Sequence, residues 1–369
     1  MIKIMQVLTD SNIGGAGIWL INLLQNYNRS EYEIITVLPS NAVLLDRIRE
    51  LNVRTITADS IADCSFSSEA VRELTHIIKK EKPDIVHTHA SLSARIAAKK
   101  CRVPVVHTRH CLEPRKSYPK NLIYSFVNNF LSSKVIAVSK AVESNLKRDG
   151  IKDDKLSVIY NGITPLTPPD ENAKAEARKR FGIPPEAITV GLTARLEEVK
   201  NPMLFVRSAK ILAKKFPNVY FLLVGEGSMR SKVEKEAAPI SERFIVTGYI
   251  SDIEKAYAAM DILTLTSDSE ALSISILEGQ SAGLPVISTD SGGPAEIITP
   301  SINGLLVPVN NPESLADAAE ELIKSPEKRQ QYGAAGREMV MQKFTAEHMA
   351  RKTEDIYNEV VKSLRKEQK

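Results

Sequence analysis

The stretch 188–215, ITVGLTARLEEVKNPMLFVRSAKILAKK, combines one predicted strand, one loop and one predicted helix. β-Branched and apolar residues run together over Ile188–Leu192, which is typical of a parallel strand that is covered on both faces. Apolar residues then recur at helical spacing over Pro202–Lys215, and proline suits the first turn of a helix. The stretch therefore predicts a strand–loop–helix unit of an α/β domain.

The same alternation continues along the whole chain. The other predicted strands are Ile2–Leu8, Tyr32–Leu38, Ile85–Thr88, Val103–Thr108, Val135–Ala137, Tyr220–Val224, Phe244–Thr247, Ile262–Leu265 and Pro285–Ser288. Helical patterns such as Glu69–Lys80 supply the crossovers that parallel strands require. We therefore expect an α/β protein with two Rossmann-like, doubly wound domains.

The domain boundary is predicted from chain length and proline. A chain of 369 residues exceeds what one hydrophobic core usually serves. In the stretch 161–172, NGITPLTPPDEN, Pro165, Pro168 and Pro169 are incompatible with a continuing helix or a central strand. We expect an N-terminal domain over 1–165, a C-terminal domain over 166–345, and an amphipathic helix within 346–369 that returns toward the N-terminal domain.

The composition is that of a soluble globular protein, with 43% apolar and 25% charged residues. Cys64, Cys101 and Cys111 are odd in number, far apart and without a CxxC motif, which argues against a disulfide framework or a zinc site and fits a reducing cytosol. A signal-peptide pattern and an apolar run of 18 residues are both missing from the sequence. We therefore expect a cytoplasmic protein.

The charge is unevenly distributed between the two halves. Residues 1–165 carry 23 Lys/Arg and 16 Asp/Glu (+7), whereas residues 166–369 carry 26 and 29 (−3). This asymmetry fits ordinary surface variation, or an N-terminal domain that faces an anionic surface such as a lipid leaflet or a phosphorylated acceptor. A net charge of +4 without a basic helix argues against a nucleic-acid binder.

Two acidic residues follow the predicted strand Ile262–Leu265. A polar loop brings Glu270 to the sheet edge, a helix is predicted from Ser273–Ile274, and Glu278 falls in its first turns. Helix N-terminal amides favour phosphate groups, and carboxylates accept hydrogen bonds from sugar and ribose hydroxyls. The spacing alone also fits a loop acid and an exposed helical acid.

Two cationic residues, Arg195 and Lys200, lie in the loop after Ile188–Leu192. A departing nucleoside diphosphate gains negative charge, so that fixed cations beside it stabilise the transition state. The alternative is a solvated arginine and lysine on a loop. Because no acidic DxD-type cluster is evident, we expect no metal site and metal-independent chemistry.

These motifs together resemble those of a known enzyme family. The segment EALSISILE (270–278), continued by GQSAGLPVISTDSGGPAEII and NGLLVP and preceded by ARLEEVKN, is similar to the E-x7-E signature region of family 4 retaining glycosyltransferases. Further similar segments, VIAVSKAV, VIYNGI, LLVGEG and VTGYIS, extend the resemblance over nearly the whole chain. It implies the GT-B fold, in which two Rossmann-like domains face a central cleft. The sequence departs from the family in Ala271-Leu272-Ser273, where Gly-Phe-Pro or Gly-Leu-Pro is common.

The resemblance also implies roles for individual residues. Glu270 would contact the donor sugar near the reaction centre, Glu278 would bind the ribose hydroxyls, and Arg195 and Lys200 would clamp the diphosphate. The further donor-binding candidates are Leu272, Ser273, Ile274, Gly248, Tyr249, Gly14 and Gly15. Of these, the Gly248–Tyr249 turn would lie near the nucleobase. Gly14 and Gly15 would close over the donor phosphates, although a Gly-Gly pair also simply makes a tight turn.

Four histidines fall in two predicted strand-end segments, DIVHTHAS and VVHTRHC. We interpret His87 and His107 as core residues, whereas His89 and His110 are expected at the edge of the cleft. By resemblance His110 would approach the donor sugar as a catalytic residue. Metal ligation is a poor interpretation because no carboxylate spacing supports it.

The stretch 115–134, RKSYPKNLIYSFVNNFLSSK, has two interpretations. It combines basic residues with Tyr118, Tyr124, Phe126 and Phe130. Such a stripe belongs either to a helix that faces the core or to a surface that touches lipid or a lipid-linked acceptor.

The expected function is therefore transfer of a hexose-type sugar from a UDP- or GDP-sugar to a hydroxyl of a glycan, lipid-linked or small-molecule acceptor, with retention of configuration. Cell-envelope polysaccharide or glycolipid synthesis is the expected setting, with no cofactor beyond the donor substrate and with peripheral contact to the inner face of a membrane as an option. The alternative from another class is a non-catalytic regulatory or scaffold subunit that binds sugar nucleotides.

Overall fold

The computed structural model describes residues 1–12, 14–89, 91–114 and 117–367. The chain divides into two compact units. The first comprises Met1–Thr164 and Thr345–Lys369, and the second comprises Pro165–Phe344. Where the chain re-enters the first unit, Ile163 forms an isolated parallel bridge with Thr345, and the Ala346 amide donates to the Ile163 carbonyl at 2.7 Å.

The first unit contains a seven-stranded parallel sheet in the order β3-β2-β1-β4-β5-β6-β7. Its strands are β1 Ile2–Leu8, β2 Tyr32–Leu38, β3 Arg54–Thr57, β4 Ile85–His89, β5 Val105–Arg109, β6 Lys134–Ala137 and β7 Leu156–Val158. Its helices are α1 Gly15–Asn26, α2 Leu45–Glu50, α3 Ser68–Glu81, α4 Leu92–Lys100, α5 Tyr118–Leu131, α6 Lys140–Arg148 and, at the end of the chain, α15 Ala346–Glu367. The strand order reverses between β1 and β4.

The core of the first unit lies on both faces of this sheet. On one face α1 and α15 pack together and bury Trp19, the single tryptophan of the chain. Tyr357 of α15 reaches the sheet, where its hydroxyl lies 2.7 Å from both Gln6 Nε2 and His87 Nδ1. The last helix is thus joined to the strands by a buried polar contact as well as by apolar packing.

The second unit contains a six-stranded parallel sheet in the order β10-β9-β8-β11-β12-β13. Its strands are β8 Ile188–Thr193, β9 Val219–Val224, β10 Phe244–Val246, β11 Ile262–Leu265, β12 Val286–Thr289 and β13 Gly304–Val307. Its helices are α7 Glu171–Phe181, α8 Pro202–Lys215, α9 Arg230–Ala237, α10 Ile253–Ala258, α11 Ile274–Ser281, α12 Pro294–Ile297, α13 Pro312–Lys324 and α14 Pro326–Lys343. Here the order reverses between β8 and β11, which pair in the register Ile262 opposite Val190.

The core of the second unit is built around α8 and the sheet beneath it. Phe205 of α8 packs edge-on against Phe221 of β9, with ring centroids 6.3 Å apart, and Phe244 of β10 completes the aromatic group. Such offset aromatic contacts add to the stabilisation that apolar burial already provides. They hold the crossover helix against the strands whose carboxyl ends carry the candidate site.

The predicted α/β fold class with doubly wound sheets is confirmed. Each of the ten predicted strands is present, with ends that differ by at most two residues, as at Val105–Arg109. The prediction missed three strands: Arg54–Thr57, Leu156–Val158 and Gly304–Val307. All three lie at sheet edges, where strands are short and partly exposed, so that their sequences lack a continuous apolar run.

Two further observations concern the helices and the cysteines. Within the described residues, none of the helices has the length and apolar character that crossing a membrane requires. Cys64, Cys101 and Cys111 are free thiols.

The contact made by Tyr357 yields a stability prediction. Replacing Tyr357 with Phe removes the hydroxyl and leaves the buried Gln6 amide without this partner, which we expect to lower the free energy of unfolding of the first unit by about 1–3 kcal/mol. Urea titration followed by Trp19 fluorescence measures this change. Tyr249→Phe, at a side chain that is 66% exposed, is the control and should leave the transition unchanged. An unaltered midpoint for Tyr357→Phe would show that the hydroxyl contributes nothing.

Candidate functional site

The predicted site residues of the second unit follow the carboxyl ends of neighbouring parallel strands. Arg195 and Lys200 follow β8, Gly248 follows β10, and Glu270 follows β11. Because β8 and β11 are the neighbours between which the strand order reverses, Lys200 and Glu270 stand on either side of the topological switch point. Open α/β sheets bind ligands at such points.

Lys200 and Glu270 form an ion pair. Lys200 Nζ lies 2.5 Å from Glu270 Oε2, and their side chains are 21% and 11% exposed. Ser267 donates a second hydrogen bond to the same carboxylate oxygen at 3.1 Å. A lysine ammonium has three donors, so that this pairing leaves Lys200 with protons available for a ligand.

The loop that carries Lys200 is fixed to the loop after β11. Thr266 donates from Oγ1 to the Lys200 carbonyl at 2.8 Å, and the Asp268 amide donates to the Val199 carbonyl at 2.9 Å. Asn201 adopts a left-handed conformation, with φ of 44°, and caps α8 through its side chain. Its amide group also donates to Asp268 Oδ1 at 2.8 Å. Lys200 is therefore held in place by its own backbone and by that of its neighbours.

The main chain of Glu270 is held by the loop after β12. The Glu270 amide donates to the Ser291 carbonyl at 3.0 Å, and the Gly293 amide donates to the Glu270 carbonyl at 2.8 Å. A Cβ atom on Gly293 would overlap the Ala271 carbonyl, so that this approach requires glycine. The predicted carboxylate is thus positioned by a Gly-Gly segment of the following loop.

Glu278 lies on α11 and is linked to the end of β8. The Tyr257 hydroxyl donates to Glu278 Oε2 at 2.8 Å and lies 3.2 Å from Thr193 Oγ1. Burial first, and then the nearby Glu278 charge, raises the pKa of Tyr257 well above its usual value, so that this residue stays a neutral donor. Tyr257 orients the predicted ribose-binding carboxylate.

The N-terminus of α11 lies between the two glutamates. Ser273 is buried and caps the helix by accepting from the Ile276 amide at 3.4 Å. The Ile274 and Ser275 amides have no acceptor among the described residues. Leu272 is buried behind them. This is the arrangement of amides that favours an anionic group at a helix start.

Arg195 is exposed, and within the described part of the chain its guanidinium has no hydrogen-bond partner. Its charge contributes to lowering the pKa of Glu197, for which hydrogen bonds from Ser228 are the larger cause. The backbone on both sides of Arg195 is held by the end of β9 and the loop after it, because the Ala194 amide donates to the Val224 carbonyl and the Leu196 amide to the Glu226 carbonyl. The backbone at Arg195 is thus held in place, whereas its guanidinium group is exposed.

The Gly248–Tyr249 turn lies further out along the same edge. Gly248 has φ of 76°, and its carbonyl accepts from the Gly225 amide at 2.9 Å. Tyr249 beside it is 66% exposed. Gly225 in turn approaches the Ala194 carbonyl so closely that a Cβ atom would overlap it. The turn is thereby connected through one glycine to the loop that bears Arg195.

In the first unit, Gly14 caps α1 without a side chain, and Gly15 begins that helix. The preceding loop is anchored by Asp63, whose carboxylate accepts from the Ser11 amide at 2.9 Å and from the Ser11 hydroxyl. These hydrogen bonds lower the pKa of Asp63. Ile13, which belongs to the predicted glycine loop, lies outside the described residues.

Three histidines of the first unit form a cluster around Trp19. The ring centroids of His87, His89 and His110 lie 5.0–5.9 Å from that of Trp19. His89 Nδ1 lies 2.8 Å from His110 Nε2. His107 is buried, and neither of its ring nitrogens has a hydrogen-bond partner among the described residues.

His89, which the sequence was expected to place at the edge of the cleft, is buried in its own unit. Its side chain is 2% exposed because Trp19 covers it and His110 lies beside it. His110 is half-buried and occupies the outer position of the pair. Burial, together with repulsion from His110, lowers the pKa of His87 to about 3, while burial and Arg109 lower that of His110 to about 3. Both imidazoles are therefore neutral near pH 7.

Several residues of the site were not predicted. Tyr257 connects Glu278 to Thr193, and Ser267 donates to Glu270. No periodicity or motif distinguishes these two from other polar residues of loops and helices. Gly292 and Gly293 belong to the segment GQSAGLPVISTDSGGPAEII, which follows Glu270 and Glu278 in the sequence. A pair of glycines so close to these two acidic residues is a sequence signal for a tight backbone approach. Over the described residues, no group of three or more His, Cys, Asp or Glu side chains forms a cluster suited to a metal ion.

Family models match both halves of the chain. Residues 13–165 match the model described as Glycosyltransferase Family 4, and residues 173–339 match that of the Glycosyl transferases group 1. Together they cover most of the chain, apart from β1 and the last helix, and they include the loops with Arg195, Lys200 and Glu270 as well as Glu278 on α11.

Curated proteins and solved structures give the same picture. The chain is 28% identical over 339 residues to the UDP-Gal:alpha-D-GlcNAc-diphosphoundecaprenol alpha-1,3-galactosyltransferase of Escherichia coli, covering 84% of this chain and 88% of that protein. It is 28% identical to the 2-deoxystreptamine N-acetyl-D-glucosaminyltransferase of Niallia circulans, covering 83% and 86%. Anabaena HepE in complex with UDP and glucose shares the fold, with a TM-score of 0.85 at 20% identity over 97% of this chain and 100% of that one.

The buried histidines predict a pH-dependent stability. The pKa of His87 is about 3 in the folded chain against about 6.5 when unfolded, so that the unfolded state binds more protons between these values. Stability should therefore fall as the pH falls from 7 to 5, by at most about 1.4 kcal/mol per pH unit for each such histidine. Trp19 fluorescence during urea unfolding measures this.

Two controls isolate the histidine cluster. The exposed His76, changed to Gln, should leave the pH dependence as it is. All six histidines lie outside residues 165–344, so that the second unit should not share this loss of stability. A Trp19 transition that is the same at pH 7 and pH 5 would contradict the prediction.

Proposed function

Because this chain belongs to the family 4 glycosyltransferases and is an enzyme of the hexosyltransferase class, we propose that it moves a hexose-type sugar from a nucleoside-diphosphate donor to a hydroxyl of its acceptor, with retention of configuration. The proposed setting is cell-envelope polysaccharide or glycolipid synthesis. The proposed location is the cytoplasm, at the inner face of a membrane where the acceptor is lipid-linked.

One observation carries this proposal. The Lys200–Glu270 ion pair, at 2.5 Å, spans the switch point between β8 and β11. A cation and a hydrogen-bond acceptor are thereby held side by side, which suits a donor whose anionic diphosphate adjoins a neutral, hydroxyl-rich sugar. The pair would contact the donor at the point where its diphosphate is joined to its sugar.

The roles of the residues follow from the charge that the reaction develops. As the glycosidic bond breaks, the diphosphate takes up negative charge, which Lys200 and the exposed Arg195 would stabilise. Glu270 would orient the sugar by accepting from its hydroxyls. Glu278, held by Tyr257, would accept from the ribose hydroxyls. These two cations and the α11 amides would make a metal ion unnecessary for this step.

The relatives support a uridine donor and a hydroxyl acceptor. The related E. coli enzyme is named for galactosyl transfer from UDP-galactose to a lipid diphosphate-linked sugar, and the related structure contains UDP and glucose. The related Niallia enzyme is named for an aminocyclitol acceptor, 2-deoxystreptamine. We therefore propose a UDP-hexose donor ahead of a GDP-linked one, and an acceptor of the lipid-linked or small-molecule class.

The direct test is turnover of UDP- and GDP-sugars in the presence of candidate acceptors. Release of nucleoside diphosphate and NMR of the product should show a new glycosidic bond with the anomeric configuration of the donor. An inverted anomeric centre would overturn retention. Donor binding without turnover of any acceptor would favour the non-catalytic alternative.

Lys200→Ala should reduce turnover more than donor affinity. If Lys200 stabilises charge that develops in the transition state, kcat should fall by about 10²- to 10³-fold, with less than about tenfold weakening of donor binding. Steady-state kinetics and calorimetric titration of the donor measure the two effects. Lys214→Ala, at an exposed lysine of α8, is the control. Equal losses in kcat and affinity would assign Lys200 to ground-state binding alone.

Glu278→Ala should weaken donor binding itself. A donor at about 100 times its Kd stabilises the folded chain by about 2.7 kcal/mol, so that thermal shift with UDP-sugars detects binding. The variant should lose most of this shift, because the ribose hydroxyls lose their acceptor. Glu242→Ala, at an exposed position, should keep it. A full shift for Glu278→Ala would remove this residue from the ribose site.

A further inference from the structure

Helix α5 exposes an apolar face. Leu122, Ile123, Phe126 and Phe130 are 55%, 67%, 71% and 55% exposed. Residues 122, 126 and 130 are four apart and therefore form one stripe along the helix. The rings of Phe126 and Phe130 are nearly parallel, at 5°, with centroids 6.1 Å apart. We name these four residues the α5 stripe.

The opposite face of the same helix is polar and faces the protein. Asn128 is 3% exposed and accepts from the Arg95 guanidinium. Ser125 and Asn129 donate to the Gly150 carbonyl at 2.7 and 2.9 Å. Tyr124 accepts from Arg109, a buried arginine of β5. The helix is thus attached to its unit by these hydrogen bonds and by Leu131 at its end, which is buried, while the apolar residues near its middle stay exposed.

This orientation is the reverse of that of an ordinary surface helix, which packs its apolar side on the core and turns its polar side to water. The core-facing interpretation of the stretch 115–134 is therefore wrong for Phe126 and Phe130. Arg115, Lys116 and the side chain of Tyr118 lie outside the described part of the chain. An exposed apolar patch with polar surroundings marks a contact surface.

The surroundings of the stripe are positively charged. Lys99 of α4 lies over the Phe130 ring, with Nζ 4.4 Å from its centroid. Burial is the main cause that lowers the pKa of Lys155; Asp154 opposes it, and Lys152 and Lys99 add to it, so that these three lysines are close together beside one aspartate. Between Glu113 and Glu143 the sequence contains no acidic residue and five basic ones. One of the five, Lys134, forms an ion pair with Glu359 and therefore adds little to the net positive charge of this surface.

We propose that the α5 stripe inserts into the interfacial region of a lipid bilayer that contains anionic headgroups, with Lys99 and Lys152 at the level of those headgroups. This combination of apolar side chains and flanking lysines is what an interfacial helix requires. A second copy of the chain would bring like-charged surfaces together, which disfavours self-association through this face. The inference goes beyond the transfer reaction and does not depend on the donor or the acceptor.

Vesicle binding by the full chain tests this proposal. Sedimentation with vesicles of phosphatidylglycerol and phosphatidylcholine should retain the protein, and vesicles of phosphatidylcholine alone should retain at least about tenfold less. Phe126→Ser/Phe130→Ser should reduce binding to the anionic vesicles by at least about tenfold, and Lys99→Glu/Lys152→Glu should do so as well. Both pairs of positions are at the surface, so that the variants should keep the Trp19 unfolding transition of the parent chain.

Matched controls are available at other exposed positions. Phe66→Ser, in the first unit and 55% exposed, and Lys235→Glu, on α9, should bind vesicles like the parent chain. Sugar transfer to a water-soluble acceptor should be unchanged in Phe126→Ser/Phe130→Ser, which separates this proposal from the proposed reaction. The proposal would be overturned by equal binding to both vesicle types or by undiminished binding of Phe126→Ser/Phe130→Ser. It would also be overturned if the parent chain were a dimer and Phe126→Ser/Phe130→Ser were a monomer.

Discussion

The candidate site depends on a close approach of backbones at the carboxyl edge of the second sheet. Gly293 lies against the Ala271 carbonyl, and Gly225 lies against the Ala194 carbonyl, at separations that leave no room for a Cβ atom. The first contact fixes the main chain of Glu270, and the second fixes the chain that leads to Arg195. Because both contacts involve backbone rather than side chains, the loops cannot relax by a change of rotamer. A catalytic arrangement gains from such rigidity, since groups that are already in place need not reorganise during the reaction.

The charges of the site are distributed unequally within this rigid frame. Lys200 is paired with Glu270, Glu278 is bound to a neutral tyrosine, and Arg195 extends into solvent. The site therefore holds one paired cation, Lys200, and one exposed cation, Arg195, that has no hydrogen-bond partner among the described residues. A diphosphate that entered here would compete with Glu270 for Lys200, and the sugar hydroxyls would compensate that carboxylate by donating to it. Binding would thus exchange one set of charge-assisted hydrogen bonds for another, which keeps the cost of desolvating either charge small.

The sequence predicted the fold well wherever a buried strand produces a continuous apolar run. It failed at Arg54–Thr57, Leu156–Val158 and Gly304–Val307, because an edge strand is half-exposed and its pairing depends on a neighbour that is distant in sequence. The acidic and basic residues of the site were predicted because they follow strands in recognisable motifs. Tyr257 was not, since its role arises from a contact between α10 and α11 that neither local sequence encodes. The burial of His89 at the end of β4 was missed for the same reason, because Trp19, which covers it, lies on α1, far away in the sequence.

Helix α5 shows a further limit of sequence patterns. Its period establishes that one face is apolar and the other polar, yet the period is the same whichever face turns inward. What decides the direction is the partner, and here the partner is a pair of buried arginines, Arg95 and Arg109, which hydrogen-bond to Asn128 and Tyr124. Burial lowers the pKa of Arg95 to about 10, which leaves it charged near pH 7 and costly to leave unpaired. Two such cations beneath the helix favour its polar face, and the apolar stripe is left outside as a consequence. The exposed surface of α5 is therefore determined by buried charge on β5 and α4, not by the hydrophobicity of the helix itself.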